Sequence, residues 1–371
     1  MTKYISALEV IGAQVEVFSA RYTAADFARS IVKCGAAVRS FPPHSWLGDA
    51  LTRFPLLWRL GPRLTSWSPN PDYLRQLFGT SSDIYIAGDP DLLQLGLRMK
   101  RKKSARLVYV PFEYFPEHSS AGGPLCKRWR GLERRIAPHV DAWISLGDKL
   151  SEEYARQYCV GGPITTVYSG LPRDGTIMEP RLRARLKLPA ETVLILYQGY
   201  VSRKRGIWDV LEAFRALPLH VHFAILGFGE ELEMLRAEVA GGELAARVHI
   251  LDAVPQEELL AYTRDADIGI IPIHGAGASY RLCNPGKLFE YMAAGVPIVT
   301  SNLEQVGWYV RENRLGEVYA NQDIDSLVRA IGRLVDSPSH RRACAQRCLQ
   351  THRDSACWEV HGSRFVNAVL G

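Results

Sequence analysis

The segment from Ser279 to Asn302 holds the residues whose types and spacing are best suited to binding a ligand. It reads SYRLCNPGKLFEYMAAGVPIVTSN, so an Asn-Pro-Gly-Lys turn precedes a short amphipathic helix, and Glu290 lies one turn into that helix. The first backbone N–H groups of a helix have no partner inside it and therefore attract anions such as phosphates. A carboxylate one turn further on can accept hydrogen bonds from both hydroxyls of a ribose. The segment thus predicts a site for a nucleoside diphosphate.

A basic loop between a predicted strand and a predicted helix is a second candidate for phosphate binding. Residues 197–206 read YQGYVSRKRG, in which Gly199 permits close approach to the backbone and Gly206 opens the next helix. The loop carries three consecutive cations, Arg203, Lys204 and Arg205. Because a guanidinium group can donate two hydrogen bonds to one phosphate, we expect these cations to hold a diphosphate. The alternative interpretation is an exposed basic turn.

At the first segment the chain resembles the GT-B glycosyltransferases, in particular retaining family 4, also called glycosyl transferases group 1. The C-terminal domain of that family carries a helix that reads roughly K-L-F-E-Y-M-A-A-G-x-P, and residues 287–297 read KLFEYMAAGVP here. The alternative is any βαβ unit with a glycine-capped helix, but the rest of the C-terminal half agrees with the family. The resemblance implies an α/β chain with the GT-B fold, in which two Rossmann-like domains face a cleft and a C-terminal helix crosses back to the first domain.

Helical and strand-like segments alternate along the chain, which favours parallel sheets flanked by helices. The predicted elements include a helix over Ala24–Cys34, a strand over Thr192–Tyr197 and a final helix over Trp358–Leu370. A stretch rich in Pro, Gly, Arg and Lys, Gly170–Pro189, is typical of an interdomain linker. From the resemblance we expect three parts: an N-terminal acceptor-binding Rossmann-like domain over 1–175, a nucleotide-sugar-binding domain over 176–355 and a crossover helix over 356–371.

The chain begins at a segment that resembles the first helix of the family. The strand and Gly-rich loop that usually precede this helix have no counterpart ahead of KYISALEV. We therefore expect the first strand of the N-terminal sheet to be missing. Since that Gly-rich loop lies near the reaction centre in the family, its loss would impair activity.

The resemblance also assigns residues of the C-terminal domain to the donor. Arg205 stands at the position of a phosphate-binding Lys of the family, and Gly227 belongs to a G-x-G turn that lines the nucleotide there. Three further donor-binding candidates begin the helix ahead of Glu290: Gly286, Lys287 and Leu288. For Lys287, exposure to solvent is the alternative to a contact with the phosphates.

One position departs from the family in a way that bears on the donor sugar. Many members carry a second acid eight residues before Glu290, but this chain has Leu282 there. That acid contacts the hydroxyl groups of the sugar in the family. We therefore expect the sugar contacts to shift to Asn284 or to backbone N–H groups near Gly286.

The N-terminal half supplies two catalytic candidates through a second match. Residues 107–118 read LVYVPFEYFPEH, and many family members have V-Y-D-x-H-E-x-x-P-E here. Phe112 replaces a His that lies near the transferring sugar in the family, while Glu113 and His118 remain as polar groups. With Arg205, these two residues are the predicted catalytic set. The alternative is a structural loop in which Glu113 accepts hydrogen bonds from backbone N–H groups.

The resemblance implies a retaining glycosyltransferase of the EC 2.4 class. It would move a sugar from a nucleoside diphosphate sugar, with UDP or GDP, to a hydroxyl of a glycan or lipid-linked acceptor in cell-envelope polysaccharide or glycoconjugate synthesis. Arg205, Lys204 and the helix N-termini would stabilise the leaving diphosphate, and the leaving phosphate would accept the proton of the acceptor. No cofactor would be bound permanently.

No metal ion is expected. The chain has no Asp-x-Asp motif at a site position, since Asp265-Ala-Asp267 precedes a core strand. A stripe of metal-ligand residue types at a spacing of four also occurs: His340, Cys344, Cys348 and His352. On a helix this stripe spans about 18 Å, too long for one ion, and is more typical of a buried face.

Three other classes remain open from the sequence. A donor-binding protein with impaired catalysis is suggested by Leu282, by Phe112 and by the missing first strand. An epimerase or hydrolase of nucleotide sugars would share the donor site but would use no acceptor. A sugar phosphorylase would respond to phosphate rather than to a nucleotide.

Positive charge is concentrated in the N-terminal half. Residues 1–175 hold 23 Lys and Arg against 16 Asp and Glu, whereas residues 176–371 hold 22 against 23. The excess peaks at 98–106 and 127–135, and such clusters attract anionic lipid headgroups or nucleic acid. Since no recognised nucleic-acid module accompanies them, we expect an anionic membrane surface or a solvated helix face, and no nucleic acid. The aromatic run Ser45–Trp67 is a candidate lid, membrane-contacting loop or cover for a sheet edge.

The remaining composition bears on location. The seven cysteines lack paired spacing and are typical of reduced thiols in a cytosolic protein. The start of the chain shows no secretory pattern, and no run of eighteen apolar residues occurs. We therefore predict a cytoplasmic protein, peripheral at the inner face of the membrane, whose partners are the nucleotide-sugar donor and a glycan or lipid-linked acceptor.

Overall fold

The computed structural model describes residues 2–19, 37–40, 77–118, 123–174, 179–275 and 277–371. The predicted helix Ala24–Cys34 and the aromatic run Ser45–Trp67 lie outside these residues. The chain divides into two compact units. Unit 1 comprises Met1–Ser145, Ser151–Val167 and Gly362–Gly371, and unit 2 comprises Leu146–Leu150 and Tyr168–His361.

Among its described residues, unit 1 contains two parallel sheets flanked by helices. Its strands are β1 (Glu16–Ser19), β2 (Ala37–Ser40), β3 (Ile84–Ala87), β4 (Arg106–Tyr109), β5 (Ala142–Ser145) and β6 (Ile164–Thr166). Its helices are α1 (Thr2–Val10), α2 (Pro90–Lys103), α3 (Gly123–Ile136) and α4 (Asp148–Gln157), of which the first turn is assigned to unit 2. Strands β1 and β2 pair with each other, and the second sheet has the order β3-β4-β5-β6.

The core of unit 1 is aromatic and encloses one acid. Glu133 of α3 is completely buried, and its carboxylate accepts hydrogen bonds from the hydroxyls of Tyr109 and Tyr158, each at 2.8 Å. Trp143 of β5 packs edge to face on Tyr109, with ring centroids 4.7 Å apart. A buried carboxylate is tolerated here because two phenols replace the water that it loses.

Unit 2 contains a six-stranded parallel sheet. Its strands are β7 (Val193–Tyr200), β8 (Val221–Phe228), β9 (Val248–Asp252), β10 (Ile268–Ile271), β11 (Ile298–Ser301) and β12 (Gly316–Tyr319). Its helices are α5 (Leu182–Leu186), α6 (Ile207–Arg215), α7 (Leu232–Ala240), α8 (Leu259–Thr263), α9 (Ala278–Arg281), α10 (Gly286–Ala294), α11 (Val306–Glu312), α12 (Ile324–Asp336), α13 (Pro338–Thr351) and α14 (Trp358–Leu370), whose last residues belong to unit 1.

The strand order of unit 2 determines where a ligand can bind. The order is β12-β11-β10-β7-β8-β9, so the direction of winding reverses between β7 and β10. In open parallel sheets, ligands bind outside the carboxyl ends of the strands at this switch point. The loops that follow β7 and β10 are therefore the expected binding loops of unit 2.

Both faces of this sheet are covered, as its sequence requires. Along β7, Val193, Ile195 and Tyr197 belong to one hydrophobic cluster, whereas Leu194 and Leu196 belong to the cluster on the other face. A strand buried on both faces reads as a nearly continuous apolar run, which is typical of parallel sheets. The packing fixes the strand ends firmly and thereby positions the loops.

The structure differs from the sequence-based expectations at several element boundaries. The strand predicted over Thr192–Tyr197 extends to Tyr200, because its last residues pair with Leu226–Phe228 of β8. The stretch Gly170–Pro189, predicted as a linker, includes helix α5 and is assigned to unit 2 from Tyr168 onward. The final helix has the predicted bounds. The predicted domain limits stay a prediction.

Candidate functional site

Two glycines let the carboxyl ends of β7 and β8 approach closely. Gly199 and Gly227 are direct partners in the strand register, and a Cβ on Gly227 would lie 2.0 Å from the carbonyl oxygen of Gly199. Gly199 has a φ of +115°, a conformation that favours glycine. A Cβ on Gly199 would also lie 3.5 Å from Nζ of Lys287. Backbone without a covering side chain therefore lies beside the Lys287 side chain.

Lys287 is a buried ammonium group at the start of α10. Its side chain is sequestered, and Nζ lies 3.7 Å from the centre of the Tyr197 ring. Burial and the nearby Arg205 lower the pKa of Lys287 from 10.5 to about 7, and Glu290 opposes the change. The predicted alternative, an exposed lysine, is wrong. A group with this pKa readily gains a proton when an anion arrives.

The N-terminus of α10 presents free backbone donors. Within the described part of the chain, the N–H groups of Gly286 and Lys287 make no hydrogen bond. The N–H of Leu288 donates to the carbonyl of Pro285 at 3.0 Å, and the Leu288 side chain is completely buried. Any role for Leu288 in binding therefore falls on its backbone and on packing. The two free N–H groups can receive an anion.

The carboxylate of Glu290 is oriented by two side-chain amides. Gln198 donates from Nε2 to one oxygen, and Gln256 donates from Nε2 to the other at 3.3 Å. Gln198 is itself fixed, since its Oε1 accepts a hydrogen bond from Oγ1 of Thr263 at 2.9 Å. Glu290 is half-buried, so part of it is accessible to a ligand. The carboxylate can therefore accept further hydrogen bonds from a bound diol.

The three cations of the basic loop form a single 3-10 turn, Arg203–Arg205. Nζ of Lys204 lies 5.7 Å from the centre of the Tyr280 ring, and the Arg205 guanidinium lies 6.0 Å from it. Arg203 is highly exposed and forms an ion pair with Glu231 at 3.3 Å. The structure thus places Lys204 and Arg205 over one ring, while Glu231 competes with a ligand for Arg203.

The two positions that bear on the sugar, Asn284 and Leu282, differ in their hydrogen bonds and burial. The amide of Asn284 donates from Nδ2 to the carbonyl of Leu146 at 2.8 Å. Its Oδ1 is buried and has no partner among the described residues. Leu282, at the position of the family's second acid, is buried. At these two positions, Oδ1 of Asn284 is therefore the side-chain acceptor that lacks a partner among the described residues.

The two catalytic candidates of unit 1 form a pair. Nε2 of His118 lies 2.7 Å from Oε2 of Glu113. The His118 ring stacks on Phe115, with centroids 5.8 Å apart, while about half of the Glu113 side chain is exposed. The Glu113 carboxylate therefore pairs with an imidazole. Phe112, which replaces the family's His, is exposed and contacts the ring of Tyr4 edge to face.

Sequence reasoning missed several residues at the carboxyl end of the unit 2 sheet. His274, which follows β10, has Nε2 2.9 Å from Oδ2 of Asp209 in the first turn of α6. Tyr280 and Gln198 were also given no role. The signal for His274 was its place just beyond a predicted strand, at the end where ligands bind in parallel sheets.

Metal-binding side chains do not gather in the described parts of the chain. No group of three or more His, Cys, Asp or Glu residues there could hold an ion. Cys344, Cys348 and His352 are buried, whereas His340 is partly exposed and pairs with Glu317 at 2.8 Å. The expectation of a metal-free site stays a prediction.

Comparison with known proteins identifies the C-terminal part of the chain. Residues 178–350 match the family model described as Glycosyl transferases group 1. These residues form a glycosyl transferases group 1 domain. The family predicted from residues 287–297 is thereby confirmed for this domain, which contains every predicted donor-binding residue.

Two curated relatives are similar to part of the chain. The chain is 27% identical over 251 residues to a GDP-mannose-dependent alpha-(1-6)-phosphatidylinositol monomannoside mannosyltransferase of Mycolicibacterium smegmatis, covering 64% of each chain. It is 26% identical over 255 residues to a glycogen synthase of Mycobacterium tuberculosis, covering 67% of this chain and 58% of that protein. The chain thus spans less than two thirds of the length of these relatives.

Solved structures confirm the fold. Anabaena HepE in complex with UDP has a TM-score of 0.74 at 14% identity and covers 99% of this chain and 95% of its own. A sucrose-phosphate synthase from Thermosynechococcus elongatus has a TM-score of 0.69 at 16% identity, covering 98% and 90%. The predicted GT-B fold, a mixed α/β fold built on parallel sheets, is therefore confirmed. In the described ranges, no helix is both long enough and apolar enough to span a membrane.

Proposed function

We propose that the protein is a retaining family 4 glycosyltransferase of the EC 2.4 class that uses a nucleoside diphosphate sugar. One observation carries the proposal: in a group 1 domain, buried Lys287, free helix N–H groups and the oriented carboxylate of Glu290 gather at the switch point of the sheet. The names of two similar proteins support this donor class. One uses GDP-mannose and the other binds UDP.

Each part of a donor has a matching group. The diphosphate is received by the N–H groups of Gly286 and Lys287 and by the cations Lys287 and Arg205. The ribose diol donates to Glu290, whose two amide partners hold the carboxylate in place. A sugar hydroxyl can donate to the buried, unpartnered Oδ1 of Asn284.

The chemistry that these residues support is stabilisation of a departing diphosphate. As the bond from the anomeric carbon to the phosphate oxygen breaks, negative charge grows on the phosphate beside Lys287 and Arg205. The acceptor oxygen forms the new bond on the same face, and its proton passes to the departing phosphate. No covalent nucleophile is required. The Glu113–His118 pair of unit 1 is assigned to the acceptor.

A lipid-linked acceptor fits the charge of unit 1. The last turn of α2 and the helix α3 carry five exposed cations: Arg101, Lys102, Lys127, Arg134 and Arg135. Others are neutralised, since Lys100 pairs with Asp141 and Arg128 with Asp91. The exposed set supports a peripheral position at the inner face of the membrane, with the protein in the cytoplasm. The Mycolicibacterium relative acts on a phosphatidylinositol monomannoside, by its name.

Vesicle binding tests this position. Vesicles with anionic headgroups should bind the protein, and replacing Arg134 and Arg135 by Gln should weaken binding more at low salt than at high salt. Replacement of the paired Lys100 serves as the control. Equal binding to neutral vesicles, or no binding, would remove the membrane from the proposal.

A donor-turnover assay tests the enzymatic function. Incubation with UDP-sugars and GDP-sugars, with and without glycan or lipid-linked acceptors, should release nucleoside diphosphate faster when an acceptor is present. Turnover without any acceptor would instead indicate a hydrolase or epimerase. Leu282 and Phe112 favour a second candidate, a donor-binding protein with impaired catalysis. That candidate binds the nucleotide and releases no product.

A further inference from the structure

The basic loop after β7 is attached to the loop after β10 by its backbone. The N–H of His274 donates to the carbonyl of Lys204 at 3.0 Å. At the end of the basic loop, Gly206 has a φ of +69°, and a Cβ there would lie 1.8 Å from the carbonyl oxygen of Pro272. The two loops are therefore packed too closely to move independently at this point.

A side-chain pair adds a second attachment. Nε2 of His274 lies 2.9 Å from Oδ2 of Asp209, and both side chains are largely buried, with exposures of 17% and 24%. Asp209 lies in the first turn of α6, directly after the basic loop. Because a carboxylate only accepts, Nε2 carries the proton and donates to Asp209. The imidazole thus links the segment after β10 to helix α6, which begins at the end of the basic loop.

The cations themselves rest on a third support. The Tyr280 ring of α9 lies under both Lys204 and Arg205, at 5.7 and 6.0 Å. A cation over an aromatic face is held by the ring quadrupole. Both α9 and His274 lie in the segment that follows β10. The segment after β10 therefore determines where the cations of the loop after β7 can point.

We propose that His274, held by Asp209, is a positioning residue for the diphosphate, an inference that rests on the proposed function. It acts through the basic loop and contacts the donor only indirectly. A loop already fixed in its binding geometry loses less freedom when the ligand arrives, so its cations bind more strongly. Loss of the His274–Asp209 hydrogen bond would free the loop and weaken diphosphate binding without touching the ribose carboxylate.

The test compares His274→Ala, His274→Gln and the wild-type protein by calorimetric titration with UDP and GDP, with inorganic pyrophosphate, and with the matching nucleoside. His274→Ala should weaken binding of the nucleoside diphosphate and of pyrophosphate by about tenfold, the effect of losing one charge-assisted hydrogen bond. Binding of the nucleoside should stay within about twofold. His274→Gln, whose amide can donate to Asp209, should recover most of the loss.

A matched control comes from a second imidazole–carboxylate pair in unit 2. Nε2 of His340, on α13, lies 2.8 Å from Oε1 of Glu317, on β12, and neither residue belongs to the basic loop or to the segment after β10. His340→Ala should leave all titrations unchanged. Equal weakening of diphosphate and nucleoside by His274→Ala, or no weakening, would overturn the positioning role alone. Absence of any nucleotide binding by the wild-type protein would overturn the proposed function together with this inference.

Discussion

Nζ of Lys287 lies 3.7 Å from the centre of the Tyr197 ring, and little of the lysine is exposed to water. Tyr197 lies three residues before the end of β7, and Lys287 is the second residue of α10. Burying an ammonium group costs free energy unless an anion pairs with it. The ring provides part of that compensation, and a diphosphate would provide the rest.

Lys287 should make donor binding depend on proton uptake. Its pKa is lowered to about 7, so above this pH the amine is mostly neutral. A bound diphosphate favours the charged form and raises the pKa again. At pH 8 we therefore expect uptake of a fraction of a proton per nucleotide, measured by calorimetry in buffers of different ionisation enthalpy. Lys287→Met should abolish the uptake, and an enthalpy independent of buffer in the wild-type protein would contradict the assignment.

Lys287 should also make the protein, measured without nucleotide, more stable as the pH rises from about 7 toward 10.5. In this window the unfolded chain holds the lysine proton and the folded chain does not, so unfolding takes up a proton and stability increases with pH. Urea denaturation at a series of pH values checks the sign. The increase should disappear in Lys287→Met. If the variant gains as much stability with pH as the wild-type protein does, another group causes the increase.

Glu133 should have the opposite effect on unit 1 at lower pH. Burial raises the pKa of Glu133 from its ordinary value of 4.5 to about 7, so the folded protein keeps a proton that the unfolded chain releases. The stabilisation is fully present below 4.5 and is lost as the pH rises to about 7, a change of roughly 3 kcal/mol. Glu133→Gln should remove this loss, whereas Glu312→Gln, at an exposed position, should not. Parallel pH curves for Glu133→Gln and the wild-type protein would contradict the prediction.

Gly227 should tolerate no side chain. A Cβ there would lie 2.0 Å from the carbonyl oxygen of Gly199, so Gly227→Ala must push the ends of β7 and β8 apart. We expect a loss of about 2 kcal/mol or more in the free energy of unfolding, in the range of other overpacked sites. Gly241→Ala is the control, because its Cβ would meet nothing within 4 Å. Denaturant unfolding measures both, and equal stability of the two variants would show that the strand ends adapt.

The sequence predicted the donor site best where the signal is local. Residues 287–297 carry the helix, its acid and its glycine stop in one continuous run, so Glu290 and Lys287 could be chosen without a structure. The partners of these residues come from distant segments: Gln198 lies on β7, and Gln256 precedes α8. Side chains brought together by sheet packing leave no spacing pattern, which is why both amides and His274 were missed.

The fold shows the same division between local and distant signals. The final helix Trp358–Leu370 was predicted with its correct bounds because its apolar pattern and length are contained in its own residues. Strand β7 was ended three residues early, since Gln198–Tyr200 are polar or glycine and become a strand only by pairing with β8. Helix α5 was hidden in a stretch whose Pro and Arg content is typical of a linker.

Thermal unfolding with nucleotides tests the central claim most directly. The wild-type protein should be stabilised by UDP or by GDP, with about 2.7 kcal/mol at a hundredfold excess over Kd. Glu290→Ala should lose this stabilisation, whereas the exposed control Glu312→Ala should keep it. Stabilisation by one nucleotide that depends on Glu290 is the predicted result. No stabilisation by either nucleotide, or the same stabilisation in Glu290→Ala, would contradict a donor site at the start of α10.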